Sequence, residues 1–113
     1  MQIIPTRIHG IIDYLTAALL VATPLLLGLE GAARWVLIGA GLAALAYSLL
    51  TDYELGLLPV LSMPAHLAVD MALGLFLIAS PWIFGFAGTI LWPHLMFGAA
   101  SLVIPTLTRR HRL

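Results

Sequence analysis

Two histidines and two aspartates in this chain follow one pattern: Asp13 lies four residues after His9, and Asp70 four residues after His66. On a helix this spacing sets an imidazole and a carboxylate one turn apart on the same face. Three kinds of chemistry use such a set. The groups can clamp helices through side-chain hydrogen bonds, without any reaction. Two imidazoles on facing helices can hold a haem iron axially or share a metal ion, with carboxylates orienting the rings through the second nitrogen. A buried His/Asp set can also pass protons, as part of an oligomeric proton or ion pathway. Residue type and spacing leave all three open.

The pattern belongs to a longer repeat. Displaced by 57 residues without a gap, the chain lays His9 on His66, Asp13 on Asp70, Leu20 on Leu77, Pro24 on Pro81 and Gly28 on Gly85. Trp35 then falls on Trp92, Gly41 on Gly98 and Thr51 on Thr108. A fixed-period match along a whole chain marks duplicated architecture, with residues 1–57 as the first unit and 58–113 as the second. His9, Asp13, Ala17, Leu20, Pro24 and Gly28 fall within roughly a 100° arc of one helix, at about 100° per residue. The duplicate helix carries the same face. Two-fold symmetry then predicts that the two faces meet near the axis, gathering His9, Asp13, His66 and Asp70, with small Ala17 and Gly74 permitting close approach.

The elements that position these residues are membrane helices. Hydrophobic residues make up 62% of the 113 and charged residues 9%, with a mean hydropathy of +1.08. Soluble domains carry roughly 25% charged residues, so the composition points to a bilayer. Four apolar stretches, about 8–29, 32–50, 64–86 and 89–107, each approach the ~20 residues that span a hydrocarbon layer. The fold class is therefore all-α: a four-transmembrane-helix bundle of two parallel two-helix repeats. The first stretch is longer than a signal-peptide core and carries His9 and Asp13, so it reads as a mature helix. Zero net charge gives no sign of a nucleic-acid partner, and the absence of cysteine excludes disulfides and thiolate sites.

Arg7, Arg109, Arg110 and Arg112 fall on one side of this arrangement and only Arg34 on the other, which predicts cytoplasmic termini. Trp35, Trp82 and Trp92 then anchor the outer interface. Arg7 also lies near enough to offset part of the aspartates' charge. Thr6 and Ser62 are expected helix N-caps, and Pro64 suits a first helical turn. Glu30-Gly31 and Ala87-Gly88 mark the outer turns. Pro24 and Pro81 each remove a backbone bond in a last turn, where Thr23 or Ser80 can bond back to the freed carbonyl.

The run Ser80-Pro81-Trp82, in the first helix of a repeated two-helix unit, resembles the SPW-repeat family of small bacterial membrane proteins; Thr23-Pro24-Leu25 is its degenerate first copy. The resemblance covers nearly the whole chain. It implies two-helix units in a bacterial inner membrane and implies no established activity.

The remaining features read as packing. Gly39-Ala40-Gly41, Ala43-Ala44 and Gly98-Ala99-Ala100-Ser101 give helices 2 and 4 small faces for packing in the bundle or for a homo-oligomer. Ala17, Gly74, Gly41 and Gly98 could also leave room for a flat cofactor. His94 is expected at the outer interface, and His111 among lipid headgroups with the tail arginines. No Gly-rich phosphate loop, HExxH or nucleophile elbow is present, so an enzyme is not expected.

Overall fold

Apolar runs punctuated by proline and glycine become four helices in the computed structural model, which describes residues 2–111. They are α1 (Thr6–Leu26), α2 (Gly31–Leu49), α3 (Met63–Ile83) and α4 (Trp92–Thr106). Among the described residues there is no strand, only two isolated bridges. The first three helices are long and apolar enough to cross a membrane. The fourth has 15 residues, and it starts three residues later than the apolar pattern implies. Pro93, which has no N–H to give, fixes its first turn, while Thr89 and Ile90 turn back onto the Phe86 carbonyl. Arg112, one of the tail arginines, lies outside the described residues.

The exterior confirms the solvent. Leu15, Leu19, Leu42, Leu75, Phe76 and Val103 face outward, while His9, Asp13, His66 and Asp70 are buried. A surface this apolar around a polar centre suits hydrocarbon. Trp35, Trp82 and Trp92 are all exposed, at the end carrying the two hairpin turns.

Helix ends follow local chemistry. Gly28 and its duplicate Gly85 take φ of 66° and 75°, the left-handed conformation that ends a helix. Beyond each, Leu29 and Phe86 donate N–H to the Pro24 and Pro81 carbonyls at 2.9 and 2.8 Å. Ser80 Oγ donates to the Leu77 carbonyl that Pro81 frees, at 2.7 Å; Thr23 does not form the equivalent bond to Leu20. Ser62 caps α3 by accepting from the Ala65 N–H. Thr6 does not cap α1. Pro5 holds that position, and the Thr6 hydroxyl donates instead to Glu54 at 2.7 Å, drawn there by the linker folding over the helix end.

Packing is tight within each hairpin, α1 on α2 and α3 on α4, and sparse between hairpins. The small residues explain this. A Cβ on Gly41 would lie 2.9 Å from the Ala17 carbonyl, and one on Gly74 would lie 2.7 Å from the Gly98 carbonyl. Ala17 and Gly74 therefore serve α1–α2 and α3–α4 contact, not the expected close approach of α1 to α3, and they leave no slot for a flat cofactor. On the outward surface remain Gly39, Ala43 and Ala99. Toward the hairpin turns, Leu20, Leu37, Ala40, Leu77 and Phe97 fill the centre.

Candidate functional site

At the opposite end from the hairpin turns, α1 and α3 each extend an imidazole and a carboxylate into the interior. All four side chains are buried, the histidines almost completely. His9 Nε2 lies 2.9 Å from Asp70 Oδ2 and 3.0 Å from Asp13 Oδ1. His66 Nε2 lies 3.0 Å from Asp13 Oδ2 and 3.3 Å from Asp70 Oδ2. The two rings meet edge to face with centroids 5.3 Å apart. Each imidazole thus touches an aspartate of its own helix and one of the other repeat.

The ring nitrogens on the far side are held by threonines. His9 Nδ1 is 2.8 Å from Thr108 Oγ1, and His66 Nδ1 is 2.7 Å from Thr51 Oγ1. Each hydroxyl spends its single proton on the carbonyl four residues back, Thr108 on Ile104 and Thr51 on Tyr47. The hydroxyls must therefore accept, and both Nδ1 atoms must donate. A proton is then needed between each Nε2 and the carboxylates, on nitrogen or on oxygen.

Thr51 and Thr108 are duplicates, and the pairing is exchanged: the first repeat's histidine takes the second repeat's threonine, and the reverse. The same exchange appears in the backbone. Ile4 bridges to Thr108, and its duplicate Leu61 bridges to Thr51. The chain thus closes α4 onto α1 just as the linker closes α2 onto α3.

Two tyrosines complete the carboxylates. Tyr53 Oη donates to Asp13 Oδ2 at 2.7 Å, and Tyr47 Oη donates to Asp70 Oδ1. Tyr53 lies in the linker outside the helices, where burial and the nearby Asp13 carboxylate push its phenol well above the ordinary range. The threonine pair was visible in the repeat, although not its role. Tyr47 carries a weaker sign, lying one turn beyond Ala44 on the buried stripe Leu37, Ala40, Gly41 and Ala44. Tyr53 follows no periodicity.

Other expectations fare differently. Arg7 is exposed and makes no ion pair with the four residues. His94 is not interfacial but fully buried, with Nε2 donating to the Ala33 carbonyl at 2.9 Å and its ring against Phe86. A carbonyl in the first turn of α2 and an aromatic neighbour draw it inward. Pro24 and Pro81 are buried at the far end, and Trp82 points outward, so the Ser-Pro-Trp motif is remote from the polar centre. A haem does not fit: the Asp13 and Asp70 carboxylates fill the space between the Nε2 atoms, and the adjoining cavity, about 30 Å³, has room for little more than one water. In the described bundle the apolar cluster around Leu20 and Leu77 also stands between the polar centre and the other end.

Among known families, the SPW repeat domain matches residues 7–108 of this chain. The chain belongs to the SPW repeat family. No curated protein and no solved structure gives a match. This SPW repeat protein is a small membrane protein whose two-helix units each supply one histidine, one aspartate and one threonine to a shared polar centre.

Proposed function

We propose that this SPW repeat protein is a non-enzymatic integral membrane module in which His9, Asp13, His66 and Asp70 lock the two hairpins face to face. The observation that carries this reading is the exchange of partners. Both imidazoles reach across the repeat boundary: His9 hydrogen-bonds to Asp70 and Thr108, and His66 hydrogen-bonds to Thr51 and lies 3.0 Å from Asp13, while other contacts between the hairpins are few. Buried charged groups cost free energy unless fully paired, and lipid offers little hydrophobic drive between helices, so polar bonds decide how hairpins assemble.

The module sits in a bacterial inner membrane with both termini cytoplasmic, a placement supported by Arg7, Arg109 and Arg110 at one end and the three exposed tryptophans at the other. Its external partners are lipid and, through Gly39, Ala43 and Ala99, a second copy of the chain.

The test is unfolding in mild detergent. His9→Ala and His66→Ala should each lower stability by about 3–5 kcal/mol, the usual cost of leaving a buried partner unpaired. An unchanged midpoint in both variants would overturn the clamp.

A further inference from the structure

The four side chains that close the hairpins also form a donor set. One ligand atom from each of His9, Asp13, His66 and Asp70 can be chosen so that all lie within 4.8 Å of one another. The threonine bonds fix both rings with Nδ1–H outward and Nε2 toward this centre. Tyr47 and Tyr53 brace the two carboxylates, Tyr47 at the Asp70 oxygen turned away from the histidines and Tyr53 at the Asp13 oxygen that faces His66. Ligating histidines and carboxylates in metal sites are held in just this manner by outer hydrogen bonds.

A second observation points to a ligand independently. His66 is fully buried, yet its Nε2 has no aligned hydrogen-bond partner; the carboxylate oxygens 3.0 and 3.3 Å away lie off the N–H direction. A fully buried imidazole does not ordinarily leave a ring nitrogen unmatched.

We propose that His9 Nε2, His66 Nε2 and one oxygen each of Asp13 and Asp70 bind a single divalent transition-metal ion of the zinc type. The inference rests on the same convergence as the clamp, with the ion as its optional rivet. Tetrahedral zinc with bonds of about 2.0–2.2 Å sets neighbouring ligand atoms roughly 3.4 Å apart. The short N···O separations of 2.9–3.3 Å involve both Asp13 oxygens, Oδ1 toward His9 and Oδ2 toward His66. With one oxygen from each aspartate the four atoms lie within 4.8 Å of one another, so the close pairs must open by a few tenths of an ångström and the widest must close by no more than about 1.4 Å to reach tetrahedral spacing.

Charge balance agrees. Two neutral imidazoles, two carboxylates and a dication sum to zero, and so does the metal-free set with two protons on the histidines. Binding therefore exchanges one M²⁺ for two H⁺ and leaves the apolar slab with no net charge. Two nitrogen donors favour zinc, cobalt or nickel over magnesium and calcium, which take oxygen ligands in larger number.

The experiment titrates the full chain, purified in mild detergent and treated with chelator, with zinc chloride, cobalt chloride and magnesium chloride. Calorimetry, the visible spectrum of bound Co²⁺ and the unfolding midpoint are read for wild type, His66→Gln and Thr51→Ala. Wild type should take one Zn²⁺ per chain, show the strong visible bands of tetrahedral Co²⁺ and unfold later with zinc, while magnesium does nothing. His66→Gln should lose the bands. Thr51→Ala keeps all four ligands and should bind roughly 10–100-fold more weakly, which keeps the test decisive if His66→Gln does not fold.

Folded wild type without cobalt bands overturns the metal site, and so does binding that both variants leave intact, which would place the ion elsewhere. If wild type binds nothing but metal-free His66→Gln unfolds earlier, the clamp stands alone. If wild type binds and metal-free His66→Gln is as stable as wild type, the metal site stands and the clamp falls.

Discussion

The first repeat brings His9, Asp13 and Thr51 to the polar centre, and the second brings His66, Asp70 and Thr108 in matching roles. The tyrosines do not match. Tyr47 and Tyr53 both come from the first repeat, one on α2 and one in the linker, and at the duplicate positions stand Ile104 and Arg110. Conversely, the second repeat alone carries the proline-supporting Ser80 bond and the buried His94. Side chains that exchange partners across the two-fold axis have stayed equal, because each must satisfy a copy of itself. Side chains that brace from outside the axis have been free to differ, because Asp13 and Asp70 need a donor without needing the same one.

The largest effect expected on this comparison comes from the aspartates. Asp13→Ala and Asp70→Ala should each cost about 3–5 kcal/mol in detergent unfolding, with similar values if the exchanged bonds set the energy. A gap of several kcal/mol between them would show that the braces dominate the symmetric core.

Next come the glycines that seat the hairpins. A Cβ on Gly98 would meet Ile78 Cγ1 at 2.6 Å and the Gly74 carbonyl at 2.8 Å, whereas one on Gly41 would meet the Ala17 carbonyl at 2.9 Å. Gly98→Ala and Gly41→Ala should both destabilise, by about 1–3 kcal/mol as overpacking does, with Gly98→Ala the worse. Equal or negligible losses would mean that the hairpins can separate slightly at no cost.

Ser80→Ala should cost about 1 kcal/mol by leaving the Leu77 carbonyl unpaired. Thr23→Val, at the duplicate position, should be near neutral. Reversed values would place the functional copy of the proline motif in the first repeat.

The smallest effect is confined to alkaline pH. The Tyr53 phenol is held above its ordinary range by burial and then by Asp13, whereas in the unfolded chain it ionises near ~10. Its contribution is complete below that pH and is lost progressively as pH rises from there toward the higher pKa of the folded state, because over that range the unfolded state binds fewer protons. Stability should therefore fall above about pH 10, and less steeply in Tyr53→Phe. Identical alkaline slopes would remove Tyr53 from the polar centre.

Much of the fold was legible in the residues. Apolar length placed α1, α2 and α3, whereas Gly28 and Gly85, expected on the helical stripe, lie just beyond the ends of α1 and α3 in the left-handed conformation. The start of α4 was misjudged because hydropathy runs through Thr89–Leu91, where the backbone is already turning. The 57-residue offset singled out all four members of the polar centre and the two threonines, but period alone could not reveal that the threonines are exchanged. Small residues misled most. Ala17 and Gly74 lie on the same face as His9 and Asp13, which implied contact between α1 and α3, yet their backbones receive Gly41 and Gly98 of their own hairpins. A helical stripe is wide enough to touch two neighbours, and sequence does not say which residue meets which.

The sequence by itself determined the solvent, the helices and the duplicated His/Asp pairs, because hydropathy, chain length and repetition are properties of the chain read in order. Only the tertiary structure decided that Tyr53 reaches Asp13 from a linker, that His94 turns inward to Ala33, and that the second repeat's threonine holds the first repeat's histidine. Those pairings join residues 40, 61 and 99 positions apart, and over such distances geometry in three dimensions, not spacing along the chain, chooses the partner.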